Sequence, residues 1–307
     1  MSGQTVLLFL LSAPLSKRYS EKAQALNAPY PARTGPMDIR RKVKTMMSPQ
    51  ESSKNPRRAA GILTAAYKEH RSPQSSRFLI TPQQTTGVFL IADAVGSWGN
   101  QELATALALQ TMIQLIVPSL STDSDPDSHH DDEQLLRGAV QQTNRALFEE
   151  NQQRKEDWDA VTSLTAVVIR EKEAAVAHVG GSRAYLVPSG GGIRQLTQDH
   201  LWITQQIAEG LLPPEAATNP RVPNVIIRSV GAQEQIEVDT LQVSLAVGDV
   251  LLLCMHRLAP LVPAEQLEQE VRRSADPFSA CEAIVHQAMK QAGALNAGLG
   301  VMVLHCS

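Results

Sequence analysis

Residues 88–99, VFLIADAVGSWG, hold five consecutive apolar residues, one carboxylate at Asp93, and then small residues ahead of a long apolar run. A short apolar run ended by turn residues reads as a buried strand, so Asp93 is delivered into a tight turn that leads into a helix. Two other apolar runs end in comparable turns, at Gly181 and His256, and a third, at 299–304, is preceded by one that carries Ala297.

Working outward, residues 78–80 and 88–92 read as strands, and 101–117 as a helix apolar on one face. A second helix is expected over 133–153, where Leu136, Ala139, Val140, Thr143 and Leu147 recur at helical spacing. The connector between them, STDSDPDSHHDDE, offers His129, His130, Asp131 and Asp132 as ligand types, but an acidic loop provides no fixed geometry and reads as solvated. Short apolar runs then follow at 163–170, 174–179, 183–188 and 193–196, with SGGG at 189–192 forming a hairpin turn. Further strands are expected at 225–230, 241–245, 250–254 and 299–304, and helices at 264–273 and 278–292. Two strand-rich layers with paired helices outside satisfy the burial requirement of an α+β fold.

The 307 residues carry a net charge of −3, unevenly spread. Residues 1–58 hold 11 Lys/Arg against 3 Asp/Glu, and the remainder holds 17 against 28. Residues 1–57 therefore read as a basic, disordered leader, and 58–307 as one globular domain. The apolar stretch at 5–11, TVLLFLL, is too short to span a bilayer and has no basic residues ahead of it. Cys254, Cys281 and Cys306 show no metal-ligand spacing and suit a reducing cytoplasm. Trp98, Trp158 and Trp202 are too dispersed to stack nucleic-acid bases, so neither nucleic acid nor membrane is an expected partner.

Four segments, IADAVGSW, GGSRAYL, LLCMHRL and NAGLGVMVL, resemble in order and spacing the motifs of the PPM-type, metal-dependent (type 2C) protein serine/threonine phosphatases. Those motifs read roughly VADGMGGH, GDSRAYL, LLCSDGL and DNxTVVVV. HVGGSRAYL, RQLTQDH and NVIIRSVG extend the likeness, and their short spacings resemble the compact bacterial members. The resemblance implies a four-layer α-β-β-α sandwich of two antiparallel sheets flanked by helices, and two divalent cations, manganese or magnesium, with a bridging water that attacks phosphoserine or phosphothreonine. Two such ions about 4 Å apart repel by roughly 17 kcal/mol even at an effective dielectric of 20, so several carboxylates must offset them.

At the matching positions those carboxylates are absent. Ser75 and Ser76 stand where the first acidic ligands belong, Gly181 takes the Asp place of GDSR, His256 and Arg257 replace Asp-Gly, and Ala297 replaces the last Asp. Asp93 is the only retained ligand, with Ala94 able to offer a backbone carbonyl beside it. Arg71 matches the arginine that grips substrate phosphate in the family. A single borderline ion such as zinc on Asp93, His256 and His178 is an alternative, as is an Asp93 neutralised by Arg257 or Arg71. The resulting expectation is a pseudophosphatase: no catalytic residues, no cofactor, no enzyme activity, and a regulatory role in signalling as a binder of a protein partner or a reader of a phosphorylated one. The alternative is an active phosphatase with a reduced metal site.

Overall fold

The structure, a computed structural model, describes residues 63–306 except 71–75, 81–85, 95–100, 121–130, 155–159, 219–224 and 293–298. Among the described residues, ten strands form two five-stranded antiparallel sheets. The first has the order β1 (Leu63–His70), β10 (Leu299–Cys306), β9 (Val250–Cys254), β6 (Arg183–Val187), β7 (Arg194–Gln195). The second runs β2 (Ser76–Ile80), β3 (Thr86–Ala94), β4 (Thr162–Arg170), β5 (Glu173–Val179), β8 (Asp239–Ser244).

Alternation along the strands explains the layers. In β3, Val88, Leu90 and Ala92 face outward onto helices α1 (Gln101–Leu120) and α2 (Asp132–Arg154), while Phe89 and Ile91 point between the sheets. In β9, Val250, Leu252 and Cys254 meet helices α4 (Ala264–Arg273) and α5 (Pro277–Ala292), and Leu251 and Leu253 face the other sheet. A strand buried on both faces has no polar side to reveal its period, and that is why 88–92 reads as a continuous apolar run. Helix α1 is long and apolar enough by composition to cross a membrane, but Ala104, Ala108, Met112 and Ile116 pack against the second sheet as core.

Most expected elements are found within a few residues of their expected bounds. One expected strand is absent and one observed strand is unexpected, each for a physical reason. Residues 225–230 do not form a strand; they make isolated bridges, Leu201 with Ile226 and Thr162 with Val230, because their backbone serves two separated partners. Strand β1, LTAAYKEH, lacks an apolar run and occupies a sheet edge, where charges such as Lys68 and Glu69 suit solvent. Of the connector residues, Asp131 caps α2 by accepting the Gln134 N–H at 2.9 Å, and Asp132 pairs with Arg170 at 2.9 Å. Both are structural. His129 and His130 lie outside the described residues.

Candidate active site

Strands from both sheets end together, and their turns meet at Asp93. On the second sheet, β3 carries Asp93 opposite Ser163 of β4 and Ala94 opposite Thr162, whose hydroxyl donates to the Asp93 carbonyl at 3.0 Å. On the first sheet, β9 stops at Cys254, Met255 donates its N–H to the Gly300 carbonyl at 3.0 Å, and the chain turns through His256 and Arg257. The His256 N–H donates to Asp93 Oδ2 at 2.8 Å, joining the two sheets. Burial pushes the Asp93 carboxyl up to about 7, against the lowering effect of the His256 N–H and the Arg257 charge.

The β5–β6 turn is the third contributor. Gly180 sits at φ 108°, a conformation that side-chain-bearing residues avoid, and Gly181 donates its N–H to Ser163 Oγ at 3.0 Å. Burial holds the His256 imidazole below its usual range.

Behind this turn lies a polar network. His178 Nδ1 bonds Thr165 Oγ1 at 2.9 Å and its Nε2 bonds the Gly180 carbonyl at 3.1 Å. Both ring nitrogens are occupied, and burial, aided by neighbouring His200, drops its pKa to about 3, so His178 is a structural residue and not the ligand considered from the sequence. His200 accepts the Gly180 N–H at 3.0 Å and meets Asp239 at 3.0 Å, with Arg228 on the same carboxylate at 2.8 Å. Arg183 grips Asp199 with a two-pronged contact, Nε to Oδ1 at 2.8 Å and Nη2 to Oδ2 at 2.5 Å. His178, Arg183, Asp199, His200 and Arg228 are among the polar residues of HVGGSRAYL, RQLTQDH and NVIIRSVG, so these motifs build the turn's support.

Of the positions expected from the sequence, the fold brings together Asp93, Ala94, Gly181 and His256. Arg71, Ser75 and Ala297 lie outside the described residues; Ser76 opens β2, opposite Ile91.

A family model described as protein phosphatase 2C matches residues 58–205. The chain is 28% identical over 185 residues to the serine/threonine phosphatase stp of Listeria monocytogenes serovar 1/2a, covering 59% of this chain and 70% of that one. Among solved structures it resembles the Mycobacterium tuberculosis serine/threonine phosphatase PstP/Ppp, with a TM-score of 0.65 and 21% identity over 80% of this chain and 99% of that one. It also resembles a PstP catalytic domain described in complex with 2 manganese ions, with a TM-score of 0.64 and 20% identity over 80% of this chain and 98% of that one.

These findings correct two expectations. The relatives are named as phosphatases, which overturns the reading of a chain that is not an enzyme. The manganese of the PstP domain overturns the expectation that this chain has no cofactor. Tested against the described residues, however, a two-ion set does not fit. They contain no group of three or more His, Cys, Asp or Glu that could hold a metal ion, and Asp93 Oδ2 is already taken by a backbone N–H.

The matched segment holds Asp93 and Gly181, while His256 and Ala297 fall in residues 206–307 beyond it, although β9 and β10 complete the same sandwich. On the family match, the ordered motifs and the shared two-sheet architecture, residues 58–205 of the chain match the protein phosphatase 2C family, the PPM-type phosphatases, and bacterial serine/threonine phosphatases are among the chain's relatives.

Proposed function

We propose that the chain is a bacterial-type protein serine/threonine phosphatase that acts on phosphorylated proteins from a reduced site centred on Asp93. The observation that carries this reading is the meeting of the β3 end, the β5–β6 turn and the turn after β9 around one buried carboxylate bonded to His256 N–H. Arg71 is the expected contact to the substrate phosphate, because a guanidinium fork binds phosphate oxygens directly. Residues 58–307 form the phosphatase domain, residues 1–57 a basic leader, and the setting is signalling in a reducing cytoplasm. Ser75, Ser76, Gly181 and Ala297 leave oxygen ligands missing, so turnover falls below that of members with the full set.

The test is phosphate release from a phosphothreonine peptide and from a chromogenic phosphate ester. The whole chain is assayed with Mn²⁺, Mg²⁺ or Zn²⁺ and with chelator, beside Asp93→Asn. Cation-dependent release that falls at least about a hundredfold in Asp93→Asn is expected. Release by the natural chain no faster than by Asp93→Asn overturns the proposal.

A further inference from the structure

Two adjacent glycines in the β5–β6 turn are glycine for different reasons. At Gly180 the backbone itself demands it, with φ at 108° and an added Cβ lying 2.8 Å from the Ser163 Cα. Gly181 has no such demand, since it is absent from the positive-φ positions and its backbone suits an ordinary L residue. What excludes a side chain there is one neighbour. A Cβ at position 181 would lie 2.5 Å from His256 Nδ1, 2.9 Å from its Cγ and 3.3 Å from its Cβ, and these are its three nearest atoms.

Nor can the imidazole readily give way. Its own backbone is pinned, because the His256 N–H is bonded to the buried Asp93 at 2.8 Å, and Gly181 is held from the other side by Ser163 Oγ at 3.0 Å. Both main-chain segments are tied to the second sheet, so relief would require a rotamer change in a mostly buried ring.

We infer that His256 fills the volume a side chain at position 181 would need, so that Gly181 and His256 are a coupled pair setting how many cations the site accepts. An oxygen ligand at 181 and an imidazole at 256 exclude one another. The pair has exchanged a carboxylate on the β5–β6 turn for a ring from the turn after β9, and a place for one cation is closed by the chain's own side chain. Restoring a carboxylate at 181 opens nothing while the ring stays. This rests on the site proposed above, yet its test does not depend on turnover.

The experiment is a double-mutant cycle on the whole chain, with Gly181→Ala, His256→Ala and the pair followed by thermal and urea unfolding. Gly181→Ala alone is expected to lower the melting temperature by about 5 °C, and to cost under about 1 °C when His256 is already Ala. If Gly181→Ala alone fails to fold, recovery of folding in the double variant reads the same coupling. Mn²⁺ titration by electron paramagnetic resonance then compares Gly181→Asp with Gly181→Asp/His256→Ala; one more ion per chain is expected in the double variant only. Equal costs of Gly181→Ala in the two backgrounds, an added ion with His256 in place, or none in the double variant overturns the inference. A natural chain that releases no phosphate while the cycle shows coupling overturns the proposed function and leaves the pair standing.

Discussion

Asp93 combines two roles that pull its charge in opposite directions. As the acceptor of the His256 N–H it favours the ionised form; as a residue 5% exposed between two sheets it favours the neutral one, and burial wins, raising it from 3.8 to about 7. Between those values the folded chain holds a proton that the unfolded chain has released, so rising pH favours unfolding. Asp93 therefore supports stability at low pH, and that support drains away as pH climbs through about 4 to 7. His178 works the other way: buried neutral down to about 3 but protonated near 6.5 once unfolded, it contributes fully above that value and loses its contribution as pH falls. Asp93→Asn separates the two, since Asn keeps an acceptor for the His256 N–H while His178 is untouched. Unfolding free energies measured from pH 4 to 8 should show the natural chain losing up to about 1.4 kcal/mol per pH unit relative to Asp93→Asn. A constant difference across that range would mean the carboxylate is ionised throughout.

At the level of elements, helix α2 shows how a surface-patterned helix holds loops that carry no structure of their own. Asn144 is buried; it accepts the Gly231 N–H at 2.8 Å and donates to the carbonyls of Gln233 at 2.9 Å and Glu234 at 3.1 Å. Seven residues on, Asn151 donates to the carbonyls of Ala160 and Gly231, both at 3.1 Å, and accepts the Ala160 N–H at 2.9 Å. Replacing Asn144 by Ala leaves three backbone groups without partners and should cost about 2–4 kcal/mol in urea unfolding; Asn144→Asp keeps only the acceptor and should fall between. A loss below about 0.5 kcal/mol would mean water replaces the amide. These contacts also mark the limit of what was legible in the sequence. Period and run length placed α2, β3, β9 and α4 because burial itself writes the pattern. They missed β1, whose edge position tolerates Lys68 and Glu69, and α3 (Trp202–Ala208), whose seven residues bury chiefly Ile203. The motif residues located Asp93, Gly181 and His256, but no spacing rule could say that His256 occupies the space beside Gly181, since that contact joins turns 75 positions apart.

Across the whole molecule, stability rests on three apolar layers, one between the sheets and one under each helix pair, built among the described residues from Leu63 onward. Leu63 is paired with Cys306 at the start of an eight-residue antiparallel register between β1 and β10, so the edge of the first sheet is complete from that point. The family match begins at residue 58, five positions before this strand. Residues 1–58, by contrast, combine 11 Lys/Arg with 3 Asp/Glu, the charge bias on which a separate basic leader is proposed. A chain starting at residue 58 is therefore expected to unfold in one cooperative step, with a melting temperature within about 2 °C of the full chain. Its denaturant dependence should also be unchanged, because that slope follows the surface exposed on unfolding and the leader would add almost none. A melting temperature lower by about 5 °C or more, together with a shallower slope, would mean that the basic segment packs on the sandwich and that the domain boundary lies further toward the N-terminus.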